Sequence, residues 1–82
     1  MEVLRMDVEE KVKQIINIIL EKHGMSPLNS LEYDSSMRND LGMDSLDLAE
    51  LTVRIEDEFG VDIFEDGMVD TVQQILDKIN KR

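Results

Sequence analysis

Apolar residues return every three or four positions in three stretches of this chain, and that spacing predicts three amphipathic helices. In the first, from residue 3 or 7 to residue 22, Val8, Val12, Ile15, Ile16, Ile19 and Leu20 share one face. Asp7 and Glu10 stand at capping-box spacing, and Gly24 supplies the stop. His23 falls in the last turn, where the negative end of the helix dipole favours a cation, so it reads as a C-cap. The second helix is expected over residues 45–59 and is ended by Gly60; its core stripe is Leu48, Leu51, Ile55 and Phe59, with Thr52 at the edge. The last, over residues 71–80, aligns Val72, Ile75, Leu76 and Ile79, and Asp70 with Gln73 again has capping-box spacing. A short additional helical element is expected within residues 64–68.

The polar stretch over residues 25–43 is rich in turn formers: Pro27, Asn29, Ser30, Asp34, Ser35, Ser36, Asn39 and Gly42. A loop of that length is unusual in a compact domain unless it packs down or carries function. Leu28, Leu31, Tyr33, Met37 and Leu41 are expected to pin it over the core. The 82 residues suffice for one domain with one small core, and with no Cys neither a disulfide nor a thiolate zinc site supports it. Aromatic residues make up only 4% of the chain, which favours an aliphatic helical core over a β-sandwich. The expected fold is therefore all-α: a single domain over residues 1–82, forming a small four-helix bundle. It has three main helices, a short third helix, and a long loop between helices 1 and 2.

The second helix carries more than its core stripe requires. Asp47, Glu50, Arg54 and Asp57 lie away from the core, and Leu46, Ala49 and Val53 form a second apolar strip beside them. A charged face is usually just solvated, and scattered surface aliphatics are ordinary. Arg54 interrupts the acids and has Glu50 and Glu58 within i,i±4 reach. The formal net charge is −10, which repels nucleic-acid backbones and anionic lipid surfaces and draws basic protein patches. No apolar run is long enough to span a bilayer, and residues 1–7 lack the shape of a secretion signal, so a cytoplasmic protein is expected.

One hydroxyl stands at the mouth of that helix, in Asp40-Leu41-Gly42-Met43-Asp44-Ser45-Leu46-Asp47-Leu48-Ala49-Glu50-Leu51. Asp44 is placed to cap the helix that Ser45 opens. Serine nucleophiles need a base within hydrogen-bond reach; the sole His is His23, and Ser45 is not in a Gly-x-Ser-x-Gly elbow. Carboxylates are weak bases for a hydroxyl, so no intrinsic catalysis is expected. A helix N-terminus, with unpaired N–H groups and the positive end of the dipole, favours a phosphate instead. Ser45 thus reads as the attachment point of a phosphate-linked arm.

At these residues the chain resembles the acyl carrier protein family, and the likeness extends from the first helix to the last. The resemblance implies that Ser45 carries 4′-phosphopantetheine, donated by coenzyme A, whose terminal thiol holds an acyl group as a thioester. It also makes the second helix the recognition helix. Asp44 and Asp47 would cap and orient the attachment site, and Leu46, Glu50, Val53 and Asp57 would meet partners. Those partners would be a phosphopantetheinyl transferase, then acyltransferases, ketoacyl synthases and other acyl-processing enzymes with basic docking patches, acting on a monomeric carrier. Asp-Ser-Leu-Asp and the acidic helix resemble stand-alone fatty-acid carriers of bacterial type II systems. Against those, residues 63–71 form a shorter segment, with Phe64 where a proline is common. A specialised carrier of polyketide, D-alanyl or other aminoacyl groups is the alternative, and an unmodified acidic helical adaptor is a further one. A calcium loop beginning at Asp62 fails on its ligands, since Phe64 and Gln73 fall at positions three and twelve, so no metal site is expected.

Overall fold

A computed structural model describes residues 3–65 and 67–81, with side chains for 8–65 and 67–80. The described residues form three helices, α1 (Val3–Lys22), α2 (Ser45–Phe59) and α3 (Val72–Lys81), and no strand beyond an isolated bridge between Ser36 and Thr71. The helical periodicity placed all three. Because α1 runs back to Val3, Asp7 lies inside it rather than at its N-cap. Its end is a Schellman turn: Gly24, at φ 75°, donates to the Glu21 carbonyl, and Met25 donates to that of Leu20, both at 3.0 Å. His23 is the C-cap residue of that turn.

One core joins every segment. It takes Val12, Ile15, Ile16, Ile19 and Leu20 from α1, Leu48, Leu51 and Ile55 from α2, and Val72, Ile75, Leu76 and Ile79 from α3. Met37, Leu41 and Met43 enter it from the long loop, and Ile63 and Val69 from the α2–α3 connection. Leu28 and Leu31 are half-buried against it, as the loop reading expected. Tyr33 departs from that reading. It is exposed, and its hydroxyl donates to Glu9 at 2.9 Å, so the polar end of the ring fixes its position.

Polar ties hold the loop down. Asn17 of α1 clips Leu28 twice: its amide nitrogen donates to the Leu28 carbonyl at 3.1 Å, and its oxygen accepts the Leu28 N–H at 2.7 Å. Farther along, the loop supplies the caps that α3 needs. Val72 and Gln73 donate their N–H groups to the carbonyls of Ser35 (3.1 Å) and Tyr33 (2.9 Å). The capping box of α3 sits one residue later than the sequence spacing indicated. Thr71 Oγ1 accepts the Gln74 N–H, and Gln74 Oε1 accepts those of Asp70 and Thr71. The Asp70 carboxylate is thereby free to accept from the Ser36 hydroxyl and the Arg38 N–H.

The short helix expected within residues 64–68 is not among the helices of the described residues. Asp62 accepts the Phe64 N–H on its side chain and the Glu65 N–H on its carbonyl, and the Gly67 N–H donates to the Phe64 carbonyl at 3.1 Å, so the described residues make two successive turns rather than an assigned helix. Gly67 itself adopts φ 132°, a value outside any helix, so the turning ends there. Asp66, a candidate ligand in the rejected calcium loop, lies outside the described residues. No helix of the described residues is long and apolar enough to cross a membrane.

Candidate functional site

The start of α2 is built residue by residue. Gly42 takes φ 72°, a left-handed conformation that suits glycine, and turns the chain out of the loop. Met43 N–H is tied to the Met37 carbonyl at 2.9 Å. Asp44 is the N-cap, with extended backbone, and its carboxylate accepts the Asp47 N–H at 3.0 Å. Asp47 returns the bond by accepting the Asp44 N–H at 3.3 Å, which completes a capping box. Met43 and Leu48 occupy the two positions of a hydrophobic staple, and both are buried. The sequence analysis did not mark Met43, although an apolar residue just before a capping box is a readable signal.

Ser45 opens the helix and is exposed. Its N–H and that of Leu46 find no acceptor among the described residues, because Asp44 is engaged with Asp47 and Leu48. A negatively charged oxygen carried on Ser45 would meet those donors and the positive end of α2. Beside the hydroxyl runs a shallow groove lined by Arg38, Ser45, Leu48, Ala49, Phe64 and Met68. Its lining is mostly apolar, and Met68 is 70% exposed, so its rim is an oily side chain open to water. A phosphate on the serine, followed by a chain that is partly apolar, fits this combination of donors, cation and groove.

The last turn of α1 braces the same helix end. His23 Nε2 donates to Asp47 Oδ1 at 2.8 Å, and Asp47 is only 8% exposed. That bond and the negative charge of Asp47 raise the His23 pKa. The bond to His23 in turn holds the Asp47 carboxyl below its usual range, against the opposing effect of burial. One turn on, Lys22 Nζ contacts both Glu50 oxygens, at 3.0 and 3.1 Å, and Arg54 Nε contacts Glu50 Oε2 at 2.9 Å. Lys22 first and Arg54 second lower the Glu50 pKa. Of the two partners open to Arg54, the one it takes is Glu50; Glu58 pairs with Lys11 of α1. His23 therefore does more than cap α1, and its spacing from Asp47 gave no sign of the cross-link.

The outward strip of α2 is present as a surface. Leu46 is 80% exposed and Val53 64%, with Asp57 exposed alongside. Among the described residues no group of three or more His, Cys, Asp or Glu is arranged to hold a metal ion.

Comparison with known proteins shows the family. The family described as "Phosphopantetheine attachment site" matches residues 13–79. The chain is 48% identical over 61 residues to the acyl carrier protein of Nitratidesulfovibrio vulgaris (strain DP4), covering 74% of this chain and 75% of that one. It is 39% identical over 71 residues to "Acyl carrier protein 3" of Ralstonia nicotianae, covering 84% and 77%. It is 38% identical over 78 residues to the acyl carrier protein of Buchnera aphidicola subsp. Schizaphis graminum, covering 93% and 94%. The chain belongs to the acyl carrier protein family, as a carrier with covalently attached 4′-phosphopantetheine and no catalysis of its own.

Proposed function

We propose that Ser45 is the residue that bears the phosphopantetheine arm and that the outward strip of α2 docks the enzymes that load and process it. The observation that carries this reading is the exposed Ser45 hydroxyl at the first position of a capped helix, next to two N–H groups without acceptors. Asp44 and Asp47 hold the helix start in shape and touch the arm only through that geometry. When bound, the arm supplies a thiol, which this Cys-free chain lacks, and the acyl group rides on it as a thioester. Arg38 and the N–H groups of Ser45 and Leu46 would face the phosphate. Leu48, Ala49, Phe64 and Met68 line the groove along which an apolar acyl chain would lie.

The cargo is a fatty acyl intermediate of a type II system in the bacterial cytoplasm, where the carrier acts as a monomer. It meets a phosphopantetheinyl transferase, acyltransferases and ketoacyl synthases through their basic patches. A specialised polyketide or aminoacyl carrier is the second reading. It draws on the α2–α3 connection, which has no helix among its described residues and alters the rim of the groove. Incubation of the apo chain with coenzyme A and a phosphopantetheinyl transferase tests the attachment. Mass spectrometry should find one phosphopantetheine adduct on Ser45 and none on S45A, whose helical circular dichroism should match the parent's. An adduct on S45A, or none on the parent, would refute the assignment.

A further inference from the structure

Glu50 lies on the strip just assigned to docking, yet both of its carboxylate oxygens are taken. Lys22 reaches across from α1 to both, at 3.0 and 3.1 Å, and Arg54 holds Oε2 from one turn along α2. Glu50 is correspondingly half-buried, whereas Glu56 and Asp57 are exposed and make no ion pair with the described residues. These five residues divide the strip into two electrostatic halves. Nearer Ser45, Asp47 and Glu50 are neutralised by the end of α1, because His23 holds Asp47 in the same way that Lys22 holds Glu50. Toward Gly60, Glu58 turns back to Lys11 of α1, and the outward Glu56 and Asp57 have no cation among the described residues.

Resting on the docking reading above, we propose that Lys22 and Arg54 mask Glu50 from basic partners, so that the carrier selects enzymes whose cation meets Asp57. A partner's Arg or Lys brought to Glu50 meets two cations already seated there. It must displace one, exchanging an existing ion pair for a similar one, or bear the repulsion of both. Only Nε of the Arg54 guanidinium is engaged by Glu50, and the rest of that positive charge stays beside the carboxylate. A cation over Asp57 meets no such competitor and gains contact with the exposed Val53 beside it. Lys22 thus acts as a specificity determinant although it lies outside the recognition helix.

A double-mutant cycle reads the masking. The KM of the apo chain for a phosphopantetheinyl transferase is measured with and without Glu50→Gln, first in the parent and then with Lys22→Gln and Arg54→Gln. Both arms change by the same single charge, so general steering by net charge largely cancels. Glu50→Gln should leave KM nearly unchanged in the parent and raise it about two- to fivefold in the unmasked background, the range expected for one exposed charge contact. An equal rise in both backgrounds would show Glu50 available all along, and no rise in either would remove it from docking; each overturns the masking. Helicity and melting of all four proteins confirm that the fold is intact. A parent chain that takes no adduct would overturn the attachment reading and this proposal with it, whereas a modified parent with a flat cycle overturns the masking alone.

Discussion

Asp47→Ala removes two acceptors from the start of α2 at once: the one that satisfies the Asp44 N–H and the one that receives His23 Nε2–H. The capping half contributes about 1 kcal/mol, and because Asp44 is exposed, water reaches its freed N–H and no burial penalty is added. Alanine returns a few tenths of a kcal/mol, about 0.5, through its better helix propensity. The net loss from the cap, about 0.5 kcal/mol, should lower the melting temperature of a domain this small by about 2–4 °C, and loss of the His23 tie lowers it further. Its pH dependence follows from the two pKa shifts. The His23 pKa is raised in the fold, so its share of the tie is complete below about pH 6.5 and is lost as pH rises through the folded value. The Asp47 pKa is lowered, so its share is complete above about pH 3.9 and is lost as pH falls through the folded value. The gap between parent and variant should therefore be wide at about pH 6 and narrower at about pH 9, read by thermal circular dichroism. His23→Gln should abolish that narrowing while keeping the capping box. A gap below about 1 °C, or one that widens from pH 6 to pH 9, would refute the argument.

Asn17→Ala should destabilise the chain by about 1–3 kcal/mol in denaturant titration, since it strips both bonds from a part-buried loop peptide at Leu28. Asp57→Lys should raise the KM of the phosphopantetheinyl transferase while the melting temperature stays within about 2 °C of the parent, because an exposed unpaired charge contributes little to folding. With a net charge of −10 the folded state repels itself, so the melting temperature should climb with added salt; a temperature flat from low to high ionic strength would contradict this.

The helices were legible because their signal is periodic. Val12, Ile16 and Ile19, or Val72, Ile75 and Ile79, repeat at the pitch of a helix, and burying them leaves little choice of arrangement. The start of α2 at Ser45 was legible for a local reason too: a glycine, a capping aspartate and an apolar run mark a helix mouth in any context. Ile63 and Val69 were not legible as core, because residues in irregular segments carry no period to reveal which way they point. The 64–68 segment turns twice without an assigned helix among the described residues, and Gly67 at φ 132° ends the turning, an angle that a sequence does not state. Tyr33 misled because its ring suggested the core while its hydroxyl found Glu9 at the surface.

The charges were hardest to read, and the reason lies in how they are used. Acidic residues outnumber basic ones by 19 to 9, yet among the described residues three ion pairs join the α1 segment to α2: Lys11 to Glu58, Lys22 to Glu50 and His23 to Asp47. They lie at both ends of the antiparallel pair, where a cation of α1 comes opposite an acid of α2. The acids of α2 therefore do two different jobs. Those turned toward α1 hold the two helices in register and fix the helix end that bears Ser45, while those turned outward, such as Asp57, meet no cation among the described residues. Sequence spacing assigns Glu50 and Asp57 to the same strip and so treats them alike. What separates them is Lys22, 28 residues before Glu50, brought alongside only when α1 packs on α2. Whether an acid on this helix braces the fold or remains open to a partner is thus a property of the helix pair, and no single helix contains the information that decides it.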